Sequence, residues 1–329
     1  MSEEQTNQDI SLLTPGERLR RTRMGCKLVI NRWGLSKSLS KDQRKTAANA
    51  FGAQSKRMTG GKKLANSDNQ YIAAVSKILS RLRQEWQERT DEWIEDGVRL
   101  LKTSALPLWT DFVNSIRAEL TTAVEDLQAH LSDVKAEARQ ELGDLYNDAD
   151  YPVSIVEKYG FTVDYPSLEP PEWLQGVNPD LYREQAERVR QRFDEAASLG
   201  EQVFVETFHE LVSHLSERLE PGEEGERKVF KQASLENVNA FVQRFKNLYC
   251  GSNAELEGLV NQAQEILTVN TSTGRIPISV NEVKNVDWIK SQVKDGMNKL
   301  KESLDKMVTT LPRRQFSSDV AGKLNEVEL

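Results

Sequence analysis

The sequence predicts an all-α, elongated protein built on a long antiparallel helical hairpin, and three observations carry that expectation. From Trp109 to Leu145 apolar residues fall at Val113, Ile116, Leu120, Val124, Leu127, Leu131, Val134, Ala138, Leu142 and Leu145. Steps of three and four are the period of one helix face and not of a strand. From Asn178 to Leu219 the period returns at Val189, Phe193, Ala196, Gly200, Val203, Phe208, Leu211, Leu215 and Leu219. The composition, 38% apolar, 29% charged and 7% aromatic, suits helices that bury one seam and solvate the rest. Each stripe must be covered, and the nearest cover for each is the other.

In chain order, residues 1–66 form a basic N-terminal segment, partly flexible. Thr14-Pro15-Gly16-Glu17 is a helix start, with Thr14 as N-cap, Pro15 at the first position and Glu17 closing a capping box. Gly25 lies inside that helix or ends it. Ser40 with Gln43 caps a second short helix through Ala47, Ala48, Ala50 and Phe51, and Thr59-Gly60-Gly61-Lys62-Lys63 is a flexible break. Residues 67–311 form the helical domain. An amphipathic helix from Asp68 places Ile72, Val75, Ile78, Leu79, Leu82, Trp86 and Trp93 on one face, and Leu106-Pro107-Leu108 leads into the hairpin.

The hairpin arms are 109–145 and 178–219, joined by a cap at 146–177 rich in proline and aromatics. Phe161, Val163 and Tyr165 alternate with polar neighbours as in a short strand, with Val153 to Val156 as a partner or a helical turn. Asn178-Pro179 restarts the helix. An exposed acidic turn, 220–226, leads to a C-terminal bundle over 227–311. That bundle has helices at Arg227–Tyr249, Ala254–Leu267 and Val280–Leu311, with a loop over Val269–Ser279. The tail 312–329 is expected to be disordered.

No apolar run approaches eighteen residues, so no transmembrane helix is expected, and the polar start MSEEQTNQD lacks the apolar core of a secretory signal. Two cysteines, Cys26 and Cys250, cannot build a disulfide framework and suit a reducing compartment, so a cytoplasmic location is expected. The net charge of −7 hides a division. Residues 17–83 carry seventeen Lys or Arg against Glu17, Asp42 and Asp68, a balance of +14, which leaves −21 for the remainder.

That basic segment is the strongest chemical signal. Arg18, Arg20, Arg21, Arg23, Lys27 and Arg32 lie within fifteen residues, followed by Lys37, Lys41, Arg44, Lys45, Lys56, Arg57, Lys62 and Lys63. Such a density neutralises phosphates with release of counterions, and Trp33 could stack on a nucleobase. The competing reading pairs these cations with the acidic remainder, in the same chain or in another copy. A membrane-surface role ranks lower, because no helix there couples its charge to a large apolar face.

Elsewhere the chemistry is thin. His209-Glu210 with His214 resembles a zinc-protease helix, but five residues turn a helix by about 500° where the motif needs about 400°, so the rings diverge. Cys26 and Cys250 lack a CxxC partner. Gly60-Gly61-Lys62-Lys63 lacks the first glycine, the Ser or Thr and the preceding parallel strand of a phosphate loop. Asp144, Asp148, Asp150 and Glu157 cluster near the hairpin tip without the glycine and terminal glutamate of a calcium loop. No catalytic, cofactor or metal residues are assigned.

Three runs resemble one family: Leu142-Gly143-Asp144-Leu145-Tyr146-Asn147-Asp148-Ala149-Asp150-Tyr151-Pro152, Tyr165-Pro166-Ser167-Leu168-Glu169-Pro170-Pro171, and Leu211-Val212-Ser213-His214-Leu215-Ser216-Glu217-Arg218-Leu219. The family is one of uncharacterised bacterial and phage helical proteins encoded beside MoxR-type AAA+ ATPases and von Willebrand factor A-domain proteins. The resemblance spans roughly residues 70 to 315. It implies protein partners of those two kinds and carries no catalytic residues with it. Von Willebrand-type domains bind a metal completed by a ligand's carboxylate, so Asp144, Asp148 and Asp150 become candidate partner-binding residues by that resemblance. The functional expectation is a non-enzymatic interaction or scaffolding protein, self-associating or serving such an ATPase complex. The alternative is a nonspecific nucleic-acid-binding protein acting through its basic N-terminal segment.

Overall fold

The structure, a computed structural model, describes residues 13–219, 232–251, 253–271 and 274–310. The chain forms two compact units, Arg20–Val189 and Met1–Leu19 with Arg190–Leu329. Helix predominates, but the fold is not all-α. Among the described residues there is also a four-stranded antiparallel sheet and two two-stranded ribbons. The expectations of an acidic turn at 220–226 and a disordered tail at 312–329 fall outside the described residues. No helix among the described residues is long and apolar enough to cross a membrane.

The described chain opens with α1 (Pro15–Thr22), whose capping box forms as expected: Thr14 N–H donates to Glu17 Oε2 at 2.9 Å and Glu17 N–H to Thr14 Oγ1 at 3.3 Å. The first unit, hereafter the sheet unit, then runs β1 (Arg23–Asn31), β2 (Ser36–Ser38), α2 (Lys41–Ala50), β3 (Gly61–Lys63), α3 (Gln70–Arg89), β4 (Thr90–Glu92) and β5 (Val98–Lys102). It continues through α4 (Leu106–Ala129), α5 (Leu131–Leu142), β6 (Gly160–Asp164), the short α6 (Trp173–Val177) and the start of α7 (Pro179–Leu219).

The basic N-terminal segment is therefore no separate appendage. β1 is an inner strand of the sheet, whose order is β4-β5-β1-β6. Gly25 and its neighbours, expected in or at the end of a helix, form strand because Met24, Cys26, Leu28 and Ile30 alternate with Arg23, Gly25, Lys27 and Val29. Cys26 is buried with Leu101 and Phe161 under the helices, and Leu28 and Ile30 pack against the same core. On the other face Pro166 and Leu168 lie directly over Gly25, where a Cβ would stand 2.6 Å from the Pro166 carbonyl oxygen. Gly25→Ala should thus displace the 166–168 segment and cost about 1–3 kcal/mol by overpacking, read as a lowered midpoint in urea.

The expected hairpin between 109–145 and 178–219 is not what buries either stripe. The first arm packs on α3. Tyr71 stacks on His130 at 4.0 Å, Arg81 pairs with Glu119, and the Arg89 guanidinium sits 5.1 Å over the Phe112 ring. Numbers rising on one helix meet numbers falling on the other, so α3 and α4 are the antiparallel pair. Ile72, Val75, Leu79 and Leu82 of α3 share one core with Trp109, Val113, Ile116, Leu120, Val124 and Leu127 of α4. The 109–145 arm is also two helices, not one. At His130 the φ is −105°, and its ring nitrogen joins the backbone N–H on the Asp126 carbonyl. The proline-rich cap is not folded on a hairpin tip either. Its strand β6 pairs with β1, not with 153–156, in the register Lys27↔Asp164 to Asn31↔Gly160.

The second unit, the helical unit, buries the other stripe from Phe204 onward. Phe204, Val205, Phe208, Val212, Leu215 and Leu219 of α7 pack with α8 (Gln232–Leu248), α9 (Ala254–Ile266), α10 (Val280–Asn285) and α11 (Asp287–Thr310). Phe208 stacks on Phe241 at 5.0 Å and Phe245 on Tyr249 at 4.2 Å. The expected loop after α9 is a ribbon, β7 (Thr268–Thr271) with β8 (Gly274–Pro277). The expected final helix starts at a Ser279–Glu282 capping box but is split at Val286, whose extended backbone (φ −118°, ψ 100°) ends the short α10 before α11 begins. Gly16 of α1 is pressed against α7, where any Cβ would meet the Asp194 backbone within 3.0 Å.

Candidate functional site

Among the described residues, a group of exposed cations lies in the sheet unit, on an excursion between β1 and α3. β2 and β3 make its neck, with Ser36↔Lys63, Lys37↔Lys62 and Ser38↔Gly61 in register. Backbone bonds from Leu39 to Gly60 (3.0 Å) and from Leu64 to Leu35 (2.7 Å) extend the neck at both ends. Residues 59–63 are thus a ribbon strand and its entry rather than a flexible break, and no phosphate loop forms there. α2 leaves the neck through a Ser40–Gln43 capping box. It stops where Phe51 and Gly52 turn back onto the Ala48 and Asn49 carbonyls, with Gly52 at φ +63°. A single 3₁₀ turn, Ser55–Arg57, returns the chain beside α2.

The neck is held by one carboxylate. Lys37 and Lys62 stand directly opposite each other, and both reach Asp150, to Oδ1 and Oδ2 at 2.6 Å each. Lys62 also donates to the Leu145 carbonyl oxygen. The Lys62 and Asp150 side chains are only 3% and 8% exposed. Hydrogen bonds from Lys37 and then Lys62 hold the Asp150 carboxyl below the usual carboxylate range. Tyr151, next in sequence, donates to the Leu64 carbonyl at 2.8 Å, and burial pushes its phenol up to about 12.

Asp150 therefore cannot serve as an exposed tip carboxylate, as the family resemblance implied, because two lysines already occupy both its oxygens. Asp144 is exposed. Asp148 is largely exposed and accepts from the Tyr146 hydroxyl at 2.9 Å, which holds its carboxyl below the usual range. These three residues do not converge on one point of chemistry.

Of the fourteen cations singled out in the sequence, Lys37 is engaged by Asp150, and the other thirteen separate by what they touch. Arg18 belongs to the helical unit and donates to the Gly251 carbonyl at 2.7 Å. Arg20 grips Glu169 with two bonds of 2.6 Å, and Arg23 pairs with Asp91 at 2.8 Å in the interior. Lys62 is spent on Asp150. Arg21 is exposed, and Arg44 is half-buried along α2. Lys27, Arg32, Lys41, Lys45, Lys56, Arg57 and Lys63 are exposed, and none has a carboxylate within salt-bridge distance among the described residues. Lys63 lines a shallow cavity of about 170 Å³ together with Glu137 and Glu141 of α5. Lys41 and Lys45 lie one turn apart on α2, and Lys56 and Arg57 lie on the returning chain. Phe51, at the turn between them, is 79% exposed. Trp33, the expected stacking residue, is instead buried against Tyr151.

The remaining motif residues are engaged elsewhere. His209 Nε2 meets Asp305 Oδ1 at 2.6 Å, while His214 is exposed one turn on. Cys26 is buried, and desolvation pushes its thiol up to about 11, against a lowering contribution from Trp86. Comparison of the chain with known protein families, characterised proteins and solved structures finds no match.

Proposed function

We propose that the protein binds polyanions, nucleic acid foremost and without sequence preference, through the excursion at residues 36–63. One observation carries this reading. Lys41, Lys45, Lys56 and Arg57 crowd one protruding element and have no carboxylate partner among the described residues. The competing explanation, neutralisation within the chain, accounts for Arg20, Arg23, Lys37, Lys62 and Arg81 but not for these four. Phosphate contact by four such cations gives a logarithmic salt slope of about −3.6 on duplex DNA, since each contact contributes about −0.9.

The test is fluorescence anisotropy with a labelled oligonucleotide across a salt series. The wild type should show that slope. A variant carrying Lys41→Glu, Lys45→Glu, Lys56→Glu and Arg57→Glu should lose most of it, along with tight binding at low salt, while its unfolding curve stays in place. A slope near zero in the wild type contradicts the proposal.

A second reading, an interaction or scaffolding role with an AAA+ ATPase, a von Willebrand A-domain protein or another copy of the chain, has its own support. Trp173 and Val177, one turn apart on α6, are 67% and 75% exposed. Adjacent apolar groups left in water favour a protein partner. Trp173→Asp with Val177→Asp should then reduce self-association in sedimentation, or recovery of the partner in pull-down, and leave oligonucleotide binding unchanged. A cytoplasmic setting fits both readings.

A further inference from the structure

We infer that the excursion selects single-stranded over duplex nucleic acid, with Phe51 stacking on an unpaired base while Lys41, Lys45, Lys56 and Arg57 engage the phosphates on either side. The inference rests on the polyanion reading above and adds the form of the ligand. A single exposed phenylalanine is ordinary on a protein surface and signifies nothing alone. Here its surroundings distinguish it. The ring is 79% exposed at the point where α2 turns back, and cations stand on both chain segments that leave that point.

Along α2 the rise from Lys41 to Lys45 is about 6 Å and both lie on one face, and Phe51 follows at the C-terminal end of the same helix. A backbone tracked by those cations passes over the tip. A duplex keeps its bases in their own stack and offers Phe51 no ring face; an unpaired strand does. Nonspecific single-strand binders combine these same two parts, a basic track and an aromatic platform tolerant of sequence.

An anionic membrane is the other surface that takes basic residues with an apolar group. The rest of α2 argues against it. Its sequence, KDQRKTAANA, has alanines and polar residues but no broad apolar face to sink below the headgroups. A lone phenylalanine beside one row of lysines gives a membrane little purchase, whereas stacking needs only that one ring.

The experiment uses the full chain with three probes: labelled oligo-dT of twenty nucleotides, a duplex of twenty base pairs, and vesicles of three parts phosphatidylcholine to one of phosphatidylglycerol. Wild type should bind oligo-dT at least about 10-fold tighter than the duplex. Phe51→Ala should weaken oligo-dT binding by about 5- to 150-fold, the range for loss of one stacked base, without changing duplex binding. Phe51→Trp should retain oligo-dT binding. Because the ring is largely solvated, unfolding of both variants should match the wild type.

Equal affinity for oligo-dT and duplex, with Phe51→Ala indistinguishable on both, overturns the inference and leaves the polyanion reading standing. Failure to bind any of the probes overturns the polyanion reading itself. Capture by the vesicles that Phe51→Ala abolishes, without oligo-dT binding, overturns the inference in favour of a membrane.

Discussion

Replacing Asp150 by asparagine lowers the stability of the sheet unit by about 3 kcal/mol, because a buried lysine is left charged with no counterion. Lys62 reaches Asp150 at 2.6 Å from a position 3% exposed, and its remaining bond is to the Leu145 carbonyl oxygen, which offers a dipole and not a charge. That carbonyl keeps the expected cost at the lower end of the range for a broken buried pair. Lys37, already in contact with water, contributes less to the loss. The companion variant Lys62→Met should cost less than Asp150→Asn, since it leaves the carboxylate its bond to Lys37.

The same site sets a pH dependence with a definite sign. The Asp150 carboxyl is depressed in the folded chain, so its stabilisation is present above the ordinary carboxylate value of about 4 and fades as pH falls through the folded value. In Asp150→Asn that part of the acid dependence should vanish. Urea denaturation of wild type and variant at neutral pH and below pH 4 measures both effects. Superimposable curves at neutral pH would show that the contact contributes nothing. The functional consequence follows from geometry. The neck ribbon joins Lys37 to Lys62, so loosening Asp150 should also raise hydrogen exchange across 36–63.

The helices were legible in the sequence, whereas their partners were not. Ile72, Val75, Leu79 and Leu82 display a helical period as plainly as the 109–145 run does. Period reports a face, however, and any apolar stripe can cover any other. The nearest similar run is not the partner. What sets the pairing is the β4–β5 hairpin, which folds the chain back between α3 and α4. Those strands have three and five residues, too few to separate alternation from chance. In β1 the alternation is present, but with Arg23, Gly25 and Lys27 on one side it is short and overlaid by the basic run.

The candidate site divides in the same way. Residue types were visible, while their engagement was not. Arg23 and Asp91 are 68 residues apart, and Arg20 and Glu169 are 149 apart, so no local pattern could mark those two arginines as spent. Phe51 follows an alanine-rich stretch whose helical pattern it extends. Only the turn at Gly52, with its positive φ, reveals the ring as a solvated tip.

The helix pairing predicts the second large effect, and it separates the observed fold from the hairpin the stripes first suggest. Tyr71 on His130, Arg81 with Glu119 and Arg89 over Phe112 place Leu79 opposite Leu120 in one core. Leu79→Ala and Leu120→Ala should each cost about 2–5 kcal/mol, as truncations at sites 0% and 5% exposed. Because the two sites pack in one core between the same two helices, the double variant should depart from additivity by about 0.5–3 kcal/mol.

Leu215, fully enclosed in the helical unit's core, is the control. Leu215→Ala should act on that unit, and its cost should add to that of Leu120→Ala within about 0.5 kcal/mol. If the two units melt in separate transitions, each leucine should shift only its own. The suggested hairpin makes the opposite forecast, since it zips the stripe of Leu120 against the stripe of Leu215. Coupling between Leu120 and Leu215, with strict additivity between Leu79 and Leu120, would restore that hairpin. It would also remove the scaffold that holds β1 and the neck of the excursion in place.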